Sequence, residues 1–217
     1  MSKPPKGVKG GGSKARIIVV AGESTNDREA LTHLVRAHLS AFTGKVASIN
    51  DPVALKDATG TNLSSRVTKI VQKAKALAAK EKADLHGLAM HLDLDDVSRE
   101  RYDAVRAKLR AEFADRCPAP LALALATWET EGWLLLFPDA FPEVHPGWTV
   151  PQQLRNRDTA QIRNPKEELQ RRLGKPPYRE SDSQTVVQAA VRLGHAPAKP
   201  KGSNHSYRDF LDDLTAW

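Results

Sequence analysis

Leu88-Ala89-Met90-His91-Leu92-Asp93-Leu94-Asp95-Asp96 is an apolar run that ends in a cluster of carboxylates. Read as a strand, it alternates faces, so Asp93 and Asp95 share one side while Leu92 and Leu94 take the other. The carboxyl end of a buried strand is where an α/β protein builds its site. Two like charges held there repel each other unless a cation sits between them. Hard oxygen ligands suit Mg2+ or Mn2+. The competing reading is that both acids open the following helix, whose N-terminus favours negative charge. His91, beside the acids, reads as a packed residue or as a support behind the metal ligands.

Working towards the N-terminus, Arg16-Ile17-Ile18-Val19-Val20-Ala21 is a short β-branched run and predicts a buried strand. Gly22-Glu23-Ser24 makes the turn. Ser24, with Asp27 three residues on, resembles a capping box with Asp in place of Glu. Leu31, Leu34, Val35, His38, Leu39 and Phe42 follow at helical spacing. Lys45 to Asn50 predicts a second short strand. Leu63, Val67, Ile70, Val71, Ala74, Leu77 and Ala78 form the stripe of a second helix leading to the strand near Leu88. Before all of this, residues 1–15 carry lysines among glycines and prolines and read as a flexible basic tail. Gly7 to Lys14 has the glycines of a phosphate loop. Ser13-Lys14 has the wrong order, however, and the stretch precedes a strand instead of following one, so a nucleotide site is rejected.

Towards the C-terminus, Val97, Tyr102, Val105, Leu109 and Phe113 predict a third helix. Leu121 to Thr127, bounded by Pro118 and Pro120, predicts a strand. Strands alternating with helices imply a mainly parallel sheet with helices on both faces. Parallel strands end on one edge, so Glu23, Asp93, Asp95 and, as an extension of the site, Glu129 would converge there, while Glu131 would begin a short helix. Glu23 by itself is an ordinary solvated turn residue; the convergence is what singles it out. Trp133 and the leucines after it read as core. Prolines 138, 142, 146 and 151 break residues 137–160 into an irregular connection. Helices are then expected from Pro165, over Ser183 to Leu193, and around Tyr207, Phe210, Leu211 and Leu214. Residues 137–217 thus form a mostly helical extension to the α/β unit of residues 16–136.

The net charge is +7 over 217 residues, which favours a polyanionic partner, nucleic acid first. Arg155, Arg157, Arg163, Lys166, Arg171, Arg172 and Lys175 concentrate this charge in the extension. A solvated face is one reading of them and a phosphate-tracking patch the other. Cys117 is the single cysteine; it excludes an internal disulfide framework and fits a reducing cytoplasm. No apolar run approaches a membrane span. The histidines lack zinc-site spacing, and no Gly-x-Ser-x-Gly elbow is present.

Val19-Val20-Ala21-Gly22-Glu23-Ser24-Thr25-Asn26-Asp27 followed by His91-Leu92-Asp93-Leu94-Asp95 resembles the Toprim pattern: a strand-end glutamate near a glycine, then a later strand ending in Asp-x-Asp. The chain is similar to a Toprim-like family of unknown function, related to OLD-family nucleases and often found near phage-defence genes. That family's Glu-x-Trp-Leu-Leu segment is matched by Glu131-Gly132-Trp133-Leu134-Leu135, and its Pro-Lys-Glu-x-Leu element by Pro165-Lys166-Glu167-Glu168-Leu169. Tyr178-Arg179-Glu180-Ser181-Asp182 and Ser206-Tyr207-Arg208-Asp209-Phe210-Leu211 resemble two further segments. Here Ala21-Gly22-Glu23 is shifted from the commonest Val-Glu-Gly arrangement.

The resemblance implies a Toprim-like fold and a Mg2+-dependent (or Mn2+-dependent) nuclease acting on DNA or RNA, as effector of a defence or toxin-like system. Asp93 and Asp95 would hold the metal, and Glu23 would act as acid, base or bridging ligand. Asp27, Asp96 and Glu131 are further ligand candidates. Arg155, Arg157, Arg163, Arg171, Arg172 and Lys175 would track the substrate backbone without reading sequence. A partner ATPase is implied by the same resemblance. The alternatives are a non-catalytic module of this shape that binds nucleic acid or the ATPase, and a phosphatase acting on small phosphates.

Overall fold

The computed structural model describes residues 14–49 and 55–217. The expected tail, apart from Lys14 and Ala15, and the end of the second strand at Asn50 lie outside the described residues. The first strand begins one residue before its expected start. The element order is β1 (Ala15–Ala21), α1 (Thr25–His38), β2 (Lys45–Ser48), α2 (Gly60–Lys80), β3 (Ala83–Asp93), α3 (Arg99–Ala114) and β4 (Leu121–Ala126). Short helices α4 (Glu131–Leu134) and α5 (Phe141–Val144) follow, then α6 (Pro165–Arg172), α7 (Ser183–Arg192) and α8 (His205–Thr215). Single 3-10 turns break up the stretch that the prolines mark as irregular.

The four strands form one sheet in the order β2-β1-β3-β4, and every pairing is parallel. This is the expected α/β class: a parallel sheet with helices on both faces and a helical C-terminal extension. Ile17, Val19, Ala21, Met90, Leu92, Leu123 and Leu125 face a core shared with α2 and α3. Ile18, Val20, Ala89, Ala122, Ala124 and Ala126 face the other core, shared with α1, α4, α7 and α8. Strands covered on both faces read as unbroken apolar runs, which is why β1 and β4 show no polar alternation. The alanines of β4 all fall on the α8 side and leave room for bulky rings. Trp133 of α4 stacks on Phe210 of α8 at a centroid distance of 5.5 Å and meets Tyr207 edge-on at 5.3 Å.

Three expectations shift. The strand expected near Leu88 starts at Ala83, because Ala83, Asp84, Leu85 and Gly87 pair with β1 although residues 83–86 are not fully buried. Val97 lies before α3, whose N-cap is Ser98, with its side chain accepting the Arg101 N–H. β3 ends at Asp93, and Asp95 adopts φ 51°, so the alternation of faces stops before Asp95 is reached.

The outer edge of β4 is closed by side chains. The Leu123 N–H donates to Asp213 Oδ2 of α8 at 2.9 Å, and the Leu123 carbonyl accepts from Arg106 Nη1 of α3 at 3.3 Å. An edge strand presents unpaired N–H and C=O groups that invite other strands; here a buried aspartate and an arginine take up that role.

Candidate functional site at the carboxyl edge of the sheet

The strand order reverses direction between β1 and β3. β1 leads by α1 to β2 on one side, and β2 leads by α2 back across to β3. The carboxyl ends of such a pair diverge and leave a crevice, where open α/β sheets bind ligands. Glu23 follows the end of β1, and His91 and Asp93 end β3, so the acids flank this switch point.

His91 and Asp93 are two residues apart on β3 and share the face of Ala89. His91 is 1% exposed. Asp27 reaches the same place from the first turn of α1. Its position is fixed by Ser24, whose hydroxyl accepts the Asp27 N–H at 3.1 Å and donates to Asp27 Oδ2 at 2.7 Å. The sequence signal for a cap at Ser24 is thus realised, and it also aims a carboxylate inward. Asp27, His91 and Asp93 each offer one ligand atom, and these atoms lie within 4.8 Å of one another. Thr130, buried just ahead of α4, touches both Asp27 Oδ1 at 3.1 Å and His91 Nε2 at 2.7 Å. Gly22 makes room for the ring: a Cβ there would sit 3.1 Å from His91 Cβ and 3.2 Å from Arg28 Cγ.

The electrostatics follow from this crowding. Burial raises the Asp93 pKa, the neighbouring Asp27 and Asp95 charges add to that, and His91 pulls it down. Burial also raises Glu23, and the Asp93 charge reinforces it against His91 and Lys56. Glu131, 3% exposed, is pushed up to about 8 by burial and then by the Asp93 charge. His91 is raised to about 9 because the Asp27 and Asp93 charges outweigh its burial. Asp27 keeps a lowered pKa despite burial, through His91 and the Ser24 and Thr130 hydrogen bonds. Four carboxylates therefore share one partly desolvated region, and their charges press on each other.

The candidate residues divide accordingly. Asp27 and Asp93 come together with His91, and Glu23 and Glu131 lie near enough to feel the Asp93 charge. Asp95 does not share the face of Asp93: its side chain turns outward and pairs with Lys56. Asp96 takes a local role, accepting the Ser98 N–H at 2.8 Å and lying 3.5 Å from Arg101. Between Glu129 and Glu131, it is Glu131 that feels Asp93, whereas Glu129 binds Lys166 through its ammonium and its main-chain N–H, both at 3.2 Å. In the extension, Arg171 and Arg172 pair with Glu168. Arg155 and Arg157 bond the carbonyls of Val150 and Gln153. Arg163 and Lys175 are exposed. Neither Thr130 nor His91 was singled out for the centre of the site. His91 could have been found from its two-residue spacing to Asp93; Thr130 has no such signal.

Next to Glu23 opens a cavity of ≈ 270 Å³ lined by Glu23, Lys56, Asp57, Ala58, Asn62 and Arg66. It carries two cationic side chains and the first turn of α2.

The donor set fits a divalent cation. Asp93 Oδ1 is buried without a hydrogen-bond partner, beside carboxylates whose charges raise its pKa. Bound metals relieve this kind of imbalance, since a cation inverts the local pKa logic. No helix among the described residues is long and apolar enough to cross a membrane. No family model, no curated protein and no solved structure matches the chain.

Proposed function

We propose that the chain is a metal-dependent phosphodiesterase that cleaves DNA or RNA at the carboxyl edge of its sheet. The observation that carries this reading is the convergence of Asp27, His91 and Asp93 at the β1–β3 switch point, with a buried Asp93 oxygen left unpaired and Glu23 near enough to feel the Asp93 charge. Asp93 and Asp27 would hold the cation, Mg2+ or Mn2+. Bound there, a divalent ion supplies stabilisation of the charge that builds on the phosphate and the leaving oxygen.

The chain's own residues do the rest. Glu23 borders both the acid cluster and the cavity, and its raised pKa suits a group that exchanges a proton with substrate near neutral pH. Lys56 and Arg66 line the same cavity and would hold a phosphate next to Glu23 by charge. Arg163 and Lys175 would extend backbone contact along the extension. Nucleic acid is the proposed substrate. A partner ATPase and a role in phage defence are proposed from the Toprim resemblance, and a cytoplasmic setting from the lone Cys117.

The test is incubation of labelled single- and double-stranded DNA and RNA with Mg2+ or Mn2+, comparing the native chain with Asp93→Asn and Glu23→Gln. Cleavage by the native chain, reduced at least a hundredfold in both variants, is the expected result. Binding of nucleic acid without cleavage under any condition would overturn it. That outcome belongs to the second reading, a non-catalytic module of the same shape. Asp95 favours this second reading, because its pairing with Lys56 takes one acid of the Asp-x-Asp pair out of the cluster.

A further inference from the structure

We infer that His91 is itself a metal ligand, through Nδ1, and that it makes this a mixed nitrogen–oxygen site selecting a transition-series dication over Mg2+. The inference rests on the metal reading above and adds the class of ion.

The argument is a proton count. Asp27 Oδ1 lies 3.1 Å from the Thr130 hydroxyl, and Asp27 Oδ2 accepts the Ser24 hydroxyl at 2.7 Å. A carboxylate only accepts, so Thr130 spends its single proton on Asp27. The 2.7 Å contact between Thr130 Oγ1 and His91 Nε2 must then be donated by the ring. Nε2 carries the hydrogen, and in the neutral imidazole Nδ1 is a bare lone pair.

Nδ1 has no partner, whether or not it carries a proton. Nδ1 is buried without a hydrogen bond, on a ring that is 1% exposed, and the nearby Asp27 Oδ2 is 3.8 Å away. This is too long for a hydrogen bond even if Nδ1 were protonated. Asp93 Oδ1 is likewise orphaned, because the Nε2 hydrogen 3.4 Å away is directed at Thr130 instead. His91 Nδ1 and Asp93 Oδ1, from one strand, are therefore both buried and unpartnered, and one ligand atom from each of Asp27, His91 and Asp93 lies within 4.8 Å of the others. Leaving such groups unmet is costly, and one dication meets all three.

Thr130 holds Nε2 from behind and leaves Nδ1 for the ion, as metal-binding histidines are held by a partner on the other nitrogen; the ion takes the place of the Nδ1 proton. Imidazole suits Fe2+, Ni2+, Cu2+ and Zn2+, with Mn2+ the weakest-binding member of that series, whereas Mg2+ takes oxygen and retains water. The nitrogen is the element that sets this preference.

The experiment uses the full chain stripped with chelator and loaded with Mn2+ alone. Pulsed electron paramagnetic resonance should show coupling of the Mn2+ spin to an imidazole nitrogen. Calorimetry should give a Mn2+ affinity at least tenfold above that for Mg2+, and His91→Asn should reduce that ratio about tenfold. Should His91→Asn not fold, the nitrogen coupling of the native chain still decides. Mn2+ bound without nitrogen coupling would overturn the inference and leave the metal reading standing. No binding of Mn2+ or Mg2+ at all would overturn both.

Discussion

The Tyr178 hydroxyl donates to Glu131 Oε1 at 3.0 Å, joining the loop between α6 and α7 to the acidic edge of the sheet. Both groups are buried. Burial and the Asp93 charge raise the Glu131 pKa from 4.5 to about 8. An acid whose folded pKa is raised binds its proton more tightly in the folded state. Its contribution to stability is full below pH 4.5 and is lost as pH rises through about 8. Glu131→Gln keeps an acceptor for Tyr178 and removes the titration. Between pH 5 and pH 8.5, in chelator, the native chain should lose on the order of 2–4 kcal/mol more unfolding free energy than the variant. Denaturant titrations at the two pH values measure it; equal losses would place the strain elsewhere.

The edge of β4 offers a test of the fold itself. Asp213 accepts from Leu123 N–H at 2.9 Å, from Arg106 at 2.6 Å and from Arg110. Asp213→Ala leaves a strand N–H and two guanidinium groups without their acceptor, which should cost about 3–5 kcal/mol. Asp213→Asn can still accept from Leu123 and should cost about half as much. Chemical denaturation of both variants reads the difference. An alanine variant as stable as the asparagine one would remove the strand edge from the account.

What the sequence disclosed, and what it withheld, follows from which forces are local. The runs Ile17–Ala21 and Leu121–Ala126 are strands because continuous apolar residues between turn signals are written in the chain. The Ser24 cap is equally local, and it places Asp27. The parallel order then brings Glu23 and Asp93 to one edge without further information. Asp95 was misplaced because period-two reasoning assumes that the strand continues. In fact the chain turns at φ 51° once Leu94, Asp95 and Asp96 bond the carbonyls of Ala126, Trp128 and Thr127. That pairing involves residues some thirty positions away and has no local signature. Thr130 reaches His91 for the same reason, through the close packing of α4 on the sheet.

Asp93 separates stability from function. Its ionised form is disfavoured by burial and by Asp27 and Asp95, so Asp93→Asn relieves repulsion in the metal-free protein. The variant should melt at or above the native chain at neutral pH in chelator. Adding Mn2+ at a hundred times its dissociation constant should stabilise the native chain by about 2.7 kcal/mol and leave the variant unmoved. Thermal unfolding with and without the ion reads both effects. A variant that melts lower without metal, or gains as much from Mn2+, contradicts the placement of Asp93 in the cluster.

Gly22 tests whether the site depends on a close approach between β1 and β3. A Cβ at this position would stand 3.1 Å from His91 Cβ and 3.2 Å from Arg28 Cγ, so the end of β3 or the arginine stem must give by a few tenths of an ångström. Arg28 is anchored by its guanidinium to the Gly22 carbonyl at 3.2 Å and to Thr25 Oγ1 at 2.9 Å. The His91 Cβ moves only with the β3 main chain, so relief comes from a small separation of the two strand ends. Gly22→Ala should therefore retain the fold at a cost of about 1–2 kcal/mol. By moving the end of β3, and His91 with it, away from β1 and Asp27, it should weaken Mn2+ binding about tenfold. Calorimetric titration beside a melting curve separates the two effects. Unchanged affinity in a folded variant would show that ring placement does not govern the ion.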